Sequence, residues 1–330
     1  MQESIKQTKK FYSKLGFIFM FGTIGIYAVQ LIPMYLAAAI KPEWMANGNI
    51  SLLISIVPMY VLGMPFLIWL LKKLPASAPE RHDISVGWFL AVAVMCYAIM
   101  YCCNIAGNIL TTIIGLLKGG MVQNVILDVA TSSNMAITFV YMVICAPIFE
   151  EYIFRKLIID STLRYGQKVA VITSGLMFGL FHGNLNQFVY AFGLGVFLAI
   201  LYVKTGNLKI TIGLHMIINF LGGILGVLLL DLIDYERFME VYAGGDIDAL
   251  MQMMMDNLFG WTVYGIYMFL LFALVITGVI LLIVFRKRFR LEQKETDIPR
   301  GRRFSAVILN PGMLVYCLFW VGMIVLQLFQ

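Results

Sequence analysis

The sequence predicts an all-α, polytopic membrane protein of about nine transmembrane helices. Three observations carry that prediction. The 330 residues are 61% hydrophobic and only 13% charged, where an average soluble domain carries about 25% charged residues. Apolar runs meeting the roughly twenty-residue length of a membrane span recur down the whole chain. The bases gather in alternate connections between those runs, the pattern expected when positive loops stay cytoplasmic.

The first span, 15–40, follows MQESIKQTKKFYSK with its Lys6, Lys9, Lys10 and Lys14. It is too long for a signal-peptide core and no small-residue cleavage site follows promptly, so it reads as a helix that stays in the membrane. Further spans are expected at 50–71, 86–117, 132–158, 209–230, 257–285 and 305–328. Two shorter apolar stretches, 168–182 and 186–204, fill the remaining gap and bring the count to nine. With the N-terminus inside, the inner connections hold Lys72, Lys73 and Arg81, then Arg155, Lys156, Arg164 and Lys168, then Lys204 and Lys209. The last inner one, 286–303, has eight bases against three acids. The large outer connection, 231–256, has seven acids and one base. It reads as a solvated connector or a Met-rich amphipathic lid. An odd number of spans puts the C-terminus outside, and the membrane is the plasma membrane if the chain is bacterial.

The net charge of +6 sits beside apolar spans, which favours anchoring to anionic lipid over nucleic-acid binding. The five cysteines, Cys96, Cys102, Cys103, Cys145 and Cys317, all lie inside apolar runs. They form no disulfide framework or Cys-based zinc spacing and read as packing residues. The organisation expected is a set of N-terminal helices (1–129), a chemical core (130–230), and an acidic loop with two final helices (231–330).

Chemistry concentrates in the core. In PIFEEYIFRK (147–156) two glutamates and an arginine follow an uncharged run, and ionised carboxylates in hydrocarbon are costly unless paired or used. Residues four apart share a helix face, so Glu151 can pair with Arg155. Glu150, rotated by about 100°, has Phe154 at its own i+4 position and no intrahelical cation. Pro147, just before the pair, cannot donate its helical hydrogen bond and opens or kinks the helix. Of three histidines, His82 sits in a polar loop, whereas His182 and His215 lie in otherwise apolar helices. Phe178 shares a face with His182, and Asn219 with His215. Asp160 and Arg164, also four apart, read as a surface pair.

Depth can be counted from the flanking bases. Glu150 is fourteen residues before Arg164 and His182 fourteen after Lys168, which carries both about 21 Å inward. His215, six residues past Lys209, is expected to lie about 12 Å shallower, unless lysine snorkelling, tilt or a recessed turn at 205–207 closes the gap. The polar GNLNQ turn (183–187) must be buried in protein or line a watery cavity.

A Glu–His–His set suits two chemistries. A carboxylate and an imidazole can activate water while the second histidine and an amide stabilise an oxyanion. Alternatively, Glu150, His182 and His215 would bind zinc; the spacing matches no compact zinc motif, so no cofactor is assigned. Against both stands a purely structural role as interhelical glue, or a proton relay in a transporter. No inverted repeat supports transport.

EEYIFR (150–155) fits EExxxR, FGLFH (178–182) fits FxxxH and HMIIN (215–219) fits HxxxN. These three motifs, in this order on successive hydrophobic helices, resemble the CPBP family. This family contains the type II CAAX prenyl proteases and the bacterial Abi and bacteriocin-processing proteins. The likeness covers about 130–230. It implies an intramembrane endopeptidase with a buried active-site cavity, acting on a membrane-embedded or membrane-associated peptide. By that resemblance Glu150 is the general base, His182 assists it, and His215 with Asn219 binds the oxyanion. Glu151, Arg155 and Phe178 organise the site. The glutamic mechanism is preferred to the metalloprotease one because it uses Asn219. A scaffold or immunity protein that keeps the fold without catalysis is the remaining alternative.

Overall fold

A computed structural model describes residues 2–120, 122, 134–295 and 297–329; the first two residues of the predicted 132–158 span lie outside them. Among the described residues all regular structure is helical. Eight helices are long and apolar enough to cross a membrane: α1 (Ile5–Ile40), α2 (Gly48–Leu71), α3 (Val86–Lys118), α4 (Met135–Tyr165), α6 (Leu185–Thr205), α7 (Leu208–Leu232), α10 (Leu258–Phe289) and α11 (Pro311–Leu328). A ninth apolar helix, α5 (Gln167–Phe181), is shorter. At 15 residues it rises about 22 Å, less than the roughly 30 Å of hydrocarbon it would have to cross alone. The chain is a multi-pass integral membrane protein.

Asparagine or serine side chains start most of these helices. Asn47, Ser85, Asn134, Asn184, Asn207, Asn257 and Asn310 each accept a first-turn amide, satisfying a donor that a helix start leaves open. The connection 231–256 contains two ten-residue amphipathic helices, α8 (Tyr235–Gly244) and α9 (Ile247–Asp256).

Contacts between connections sort them into two ends. At one end the His82 amide donates to the Thr205 carbonyl, Ser77 to Asp160, and Ile298 to Tyr165; Phe11 of α1 stacks on Tyr165 there. At the other, Lys118 donates to the Leu328 carbonyl and the Asn134 amide to Asn49. The first set is the basic one. Asp160 and Arg164 do not form the expected surface pair. Asp160 is buried, bonded to Lys156 at 2.5 Å and to the Tyr202 hydroxyl at 3.0 Å, because α6 packs over this end of α4. Arg164 lies instead over the rings of Phe11 and Tyr165.

Close backbone approaches draw the helices together. Gly175 and Gly179 of α5 face Val196 and Phe192 of α6, while Gly195 faces Phe178, the small-residue packing that lets membrane helices meet. Behind them Phe19, Phe154, Phe178, Phe181, Tyr316 and Trp320, drawn from α1, α4, α5 and α11, form one aromatic wall with neighbouring centroids 5.2–6.4 Å apart. The tight turn between α6 and α7 rests on Gly206, at φ +56°, whose missing side chain leaves room for the Glu80 carbonyl. Gly206→Val should therefore lower stability by roughly 1–3 kcal/mol. It should also speed tryptic cleavage after Arg81 in the loop above; an unchanged digestion pattern would show that this loop is not seated on the turn.

Candidate active site

Every site residue read from the sequence falls in one place. Glu150, Phe178, His182, His215 and Asn219 line a single cavity of about 260 Å³. Glu151 and Arg155 lie directly behind its wall and are completely buried. The cavity also takes Met59, Tyr60 and Met64 from α2, Tyr141 from α4, and Gln187 and Tyr190 from α6, so its walls extend beyond the 130–230 core.

The two glutamates separate as their spacing suggests. Glu151 Oε2 lies 3.1 Å from Arg155 Nε. Its other oxygen, Oε1, accepts a hydrogen bond from His215 Nδ1 at 2.9 Å. Glu150 is 16% exposed against 0% for Glu151, and its Oε2 lies 3.7 Å from His215 Nε2. One imidazole thus bridges a sealed carboxylate and an open one.

The expected shallow depth of His215 is overturned by that contact. The fault lies in the reference level: the turn 205–207 is recessed under the loop that follows α2. Thr205 and Asn207 are buried, the His82 amide binds the Thr205 carbonyl at 2.6 Å, and Asn207 donates to Asp83 at 2.7 Å. α7 therefore starts inside the protein, and six residues suffice to reach Glu150. His82 itself stays exposed.

The phenylalanine of FxxxH has a definite job. Its ring lies 4.4 Å from the Arg155 guanidinium carbon and meets both imidazoles edge-on, at 4.8 Å for His182 and 5.8 Å for His215. Among the described residues Arg155 Nε, Nη1 and Nη2 have no hydrogen-bond partner, and the π face of Phe178 lies against the guanidinium. A desolvated cation–π contact of this kind is worth about 2 kcal/mol.

His182 Nδ1 bonds to the Phe178 carbonyl at 2.8 Å. A carbonyl only accepts, so Nδ1 carries the proton and Nε2 of the neutral ring is an acceptor. The GNLNQ turn is held in the protein as a bilayer demands. Asn184 accepts from the Gln187 amide and donates to the His182 carbonyl, and Gln187 donates to the Tyr190 hydroxyl at 3.2 Å.

Asn219 is fixed by a vacancy in the backbone. Residues Phe139–Cys145 form a π-helix, in which the Ala146 amide donates to Tyr141, five residues back. In that register the next donor would be residue 147 and its acceptor Met142. Residue 147 is proline and has no N–H, so the Met142 carbonyl is left free, and Asn219 Nδ2 occupies it at 2.8 Å. π-segments also run through Met59–Gly63, Glu151–Ile159 and Phe220–Leu225, on the helices that build the cavity. Such insertions are frequent at functional sites.

Sequence reasoning missed Tyr60, Tyr141, Gln187 and Tyr190. Gln187 lay in view within the polar turn; the tyrosines come from apolar spans where an aromatic carries no signal of its own. For a metal, the donors on offer are Glu150, His182 and His215. Among the described residues no three His, Cys, Asp or Glu side chains are close enough to share an ion, so the geometry does not fit a zinc site.

Comparison with known proteins finds relatives for this part of the chain. Residues 132–221 match the family model described as Type II CAAX prenyl endopeptidase Rce1-like. The chain is 28% identical over 156 residues to the membrane-embedded CAAX protease MroQ of Staphylococcus aureus, covering 44% of this chain and 60% of that one. It is 27% identical over 141 residues to the putative membrane peptidase YdiL of Bacillus subtilis, covering 42% and 57% respectively. The match thus spans less than two thirds of either relative. No solved structure matches. The stretch 132–221, which carries the site, is thus similar to the Rce1-like type II CAAX prenyl endopeptidase family.

Proposed function

We propose that the chain is an intramembrane endopeptidase that hydrolyses a peptide bond in a membrane-associated or lipidated peptide, with Glu150 as the general base. The observation that carries this reading is the division of labour between the two glutamates. Glu151 is engaged by Arg155 and His215, while Glu150 opens onto the cavity. A carboxylate kept free inside a membrane protein is costly, and a water placed between it and a substrate carbonyl gives it a use.

The steps follow from the neighbours. Glu150 takes a proton from water, and the oxygen adds to the peptide carbonyl. His182, whose Nε2 is an acceptor, lies in the same cavity to orient that water. His215 Nδ1 is committed to Glu151, which leaves Nε2 to face the reacting carbonyl. In this role His215 Nε2 carries a proton and donates it in a hydrogen bond to the oxyanion. Asn219, anchored at Met142, supplies the second contact. One such donor is typically worth about 2.7–4 kcal/mol in the transition state. The proton held by Glu150 then passes to the departing amine.

The names of the matched family and relatives support a substrate class of lipidated or membrane-bound peptide tails. Leader peptides and bacteriocin precursors belong to the same class. In orientation, the basic end of the bundle faces the cytoplasm, carrying the N-terminus, and the C-terminus lies on the far side. A reporter fused after Gln330 should accordingly be active only outside; a cytoplasmic signal would reverse the assignment.

Cleavage of membrane peptides by the purified protein, followed by mass spectrometry, tests the activity. Glu150→Gln should lower the rate by about 10²–10⁴-fold, the usual range for a lost general base, with folding intact. Glu151→Gln should instead destabilise the protein by about 3–5 kcal/mol, because Arg155 loses its counter-charge in a dry site. If both variants stay folded and equally active, the roles assigned here are wrong. Activity that survives thorough chelation supports the glutamic mechanism, and loss restored by zinc refutes it.

A further inference from the structure

A second cavity, of about 320 Å³, opens on the outside of the bundle and shares no residue with the first. It is a groove between α5 and the helical turn Arg303–Val307 that precedes α11. Val169, Ile172, Leu176, Phe304, Val307 and Ile308 supply its apolar surface, and Lys168 and Arg303 stand in the same lining. Its size falls in the range of about 300–1,000 Å³ common to small-molecule sites. Ile172 is 51% exposed and Phe304 65%, so the groove faces the surrounding lipid.

The two cations are the unusual part. Both are only partly exposed, yet neither joins any ion pair formed among the described residues. Arg303 spends its Nε on the Ile298 carbonyl at 3.0 Å, which fixes the guanidinium and leaves its terminal nitrogens for another acceptor. Asp297 packs beside Gly166 and accepts from the Lys294 amide; it does not line the groove. Among the described residues no acid lines it. An apolar trough with two unneutralised cations has the chemistry of an amphiphile with an anionic head and hydrocarbon tail. Basic pockets between membrane helices hold anionic phospholipid heads in this way.

We infer that the groove formed by Lys168, Ile172, Phe304 and Arg303 is a binding site for one anionic phospholipid. Its phosphodiester sits between Lys168 and Arg303, and an acyl chain lies along Ile172, Leu176 and Ile308. The lipid wedges α5 against the C-terminal helix. That position matters because α5 carries Phe178 and leads to His182, and the Tyr316 hydroxyl of α11 donates to the Met177 carbonyl at 2.7 Å.

The full chain, reconstituted in nanodiscs of equal phosphatidylglycerol and phosphatidylcholine, is released for native mass spectrometry. The wild type should retain phosphatidylglycerol over phosphatidylcholine by on the order of ten-fold, given two cations at the head. Lys168→Gln with Arg303→Gln should abolish the preference. Ile172→Trp, a change on the lipid-facing surface that leaves both charges in place, should reduce retention by blocking the trough. Lack of preference in the wild type, preference kept by the double variant, or unimpeded retention by Ile172→Trp each overturns the proposal. Displacement of the lipid by millimolar inorganic phosphate would identify a simple anion site and overturn it too.

Discussion

The buried chain Arg155–Glu151–His215, an ion pair followed by a hydrogen bond, is the contact on which the rest of the site depends. It joins α4 to α7 deep in the protein, at 3.1 and 2.9 Å, and every atom of it is shut away from water or nearly so. Buried charges repay their desolvation only when geometry and additional hydrogen bonds are good. Here the carboxylate is shared between a cation and an imidazole, and the cation is shielded by an aromatic face. The imidazole then has one nitrogen spoken for and one to spare. The fixed orientation of that ring sets where Glu150 can meet it.

The bilayer explains why so much of the surrounding structure is aromatic, small or capped. Several polar groups near the site are tied to specific partners: His182 to its own helix, Asn184 to the turn it begins, Asn207 to Asp83. The glycine seam between α5 and α6 lets those partners approach, and the aromatic wall behind Phe178 keeps the ring pressed on Arg155. Precision at the centre is therefore supported by packing that has no chemistry of its own.

Much of this was legible in the residues. Fourfold spacing separated the paired Glu151 from the more open Glu150, and hydropathy with loop charge located most helix ends closely, although α1 begins ten residues before its expected start, α4 runs seven past its expected end and α11 starts six late. The three short motifs named the partners. What the chain could not reveal was anything set by one segment lying over another. The depth of His215 depends on the loop 75–85 covering the turn before α7, and counting from Lys209 assumed that this turn sat at the membrane surface. Asp160 found Tyr202 on a neighbouring helix in place of Arg164 on its own. Phe178 was visible as a pattern, but its purpose, covering a guanidinium, needed the third dimension. The tyrosines of the cavity wall came from spans with no motif.

The bond from Asn219 to residue 142 goes to the main chain and not to a side chain. The carbonyl is made available by Pro147, five positions away, so the anchor is encoded at one place and exercised at another. Met142 is also among the residues that line the cavity. Because the anchor uses the main chain, a change of side chain at 142 alters the cavity wall while the acceptor for Asn219 stays in place. Wall and anchor meet at a single residue yet can vary apart.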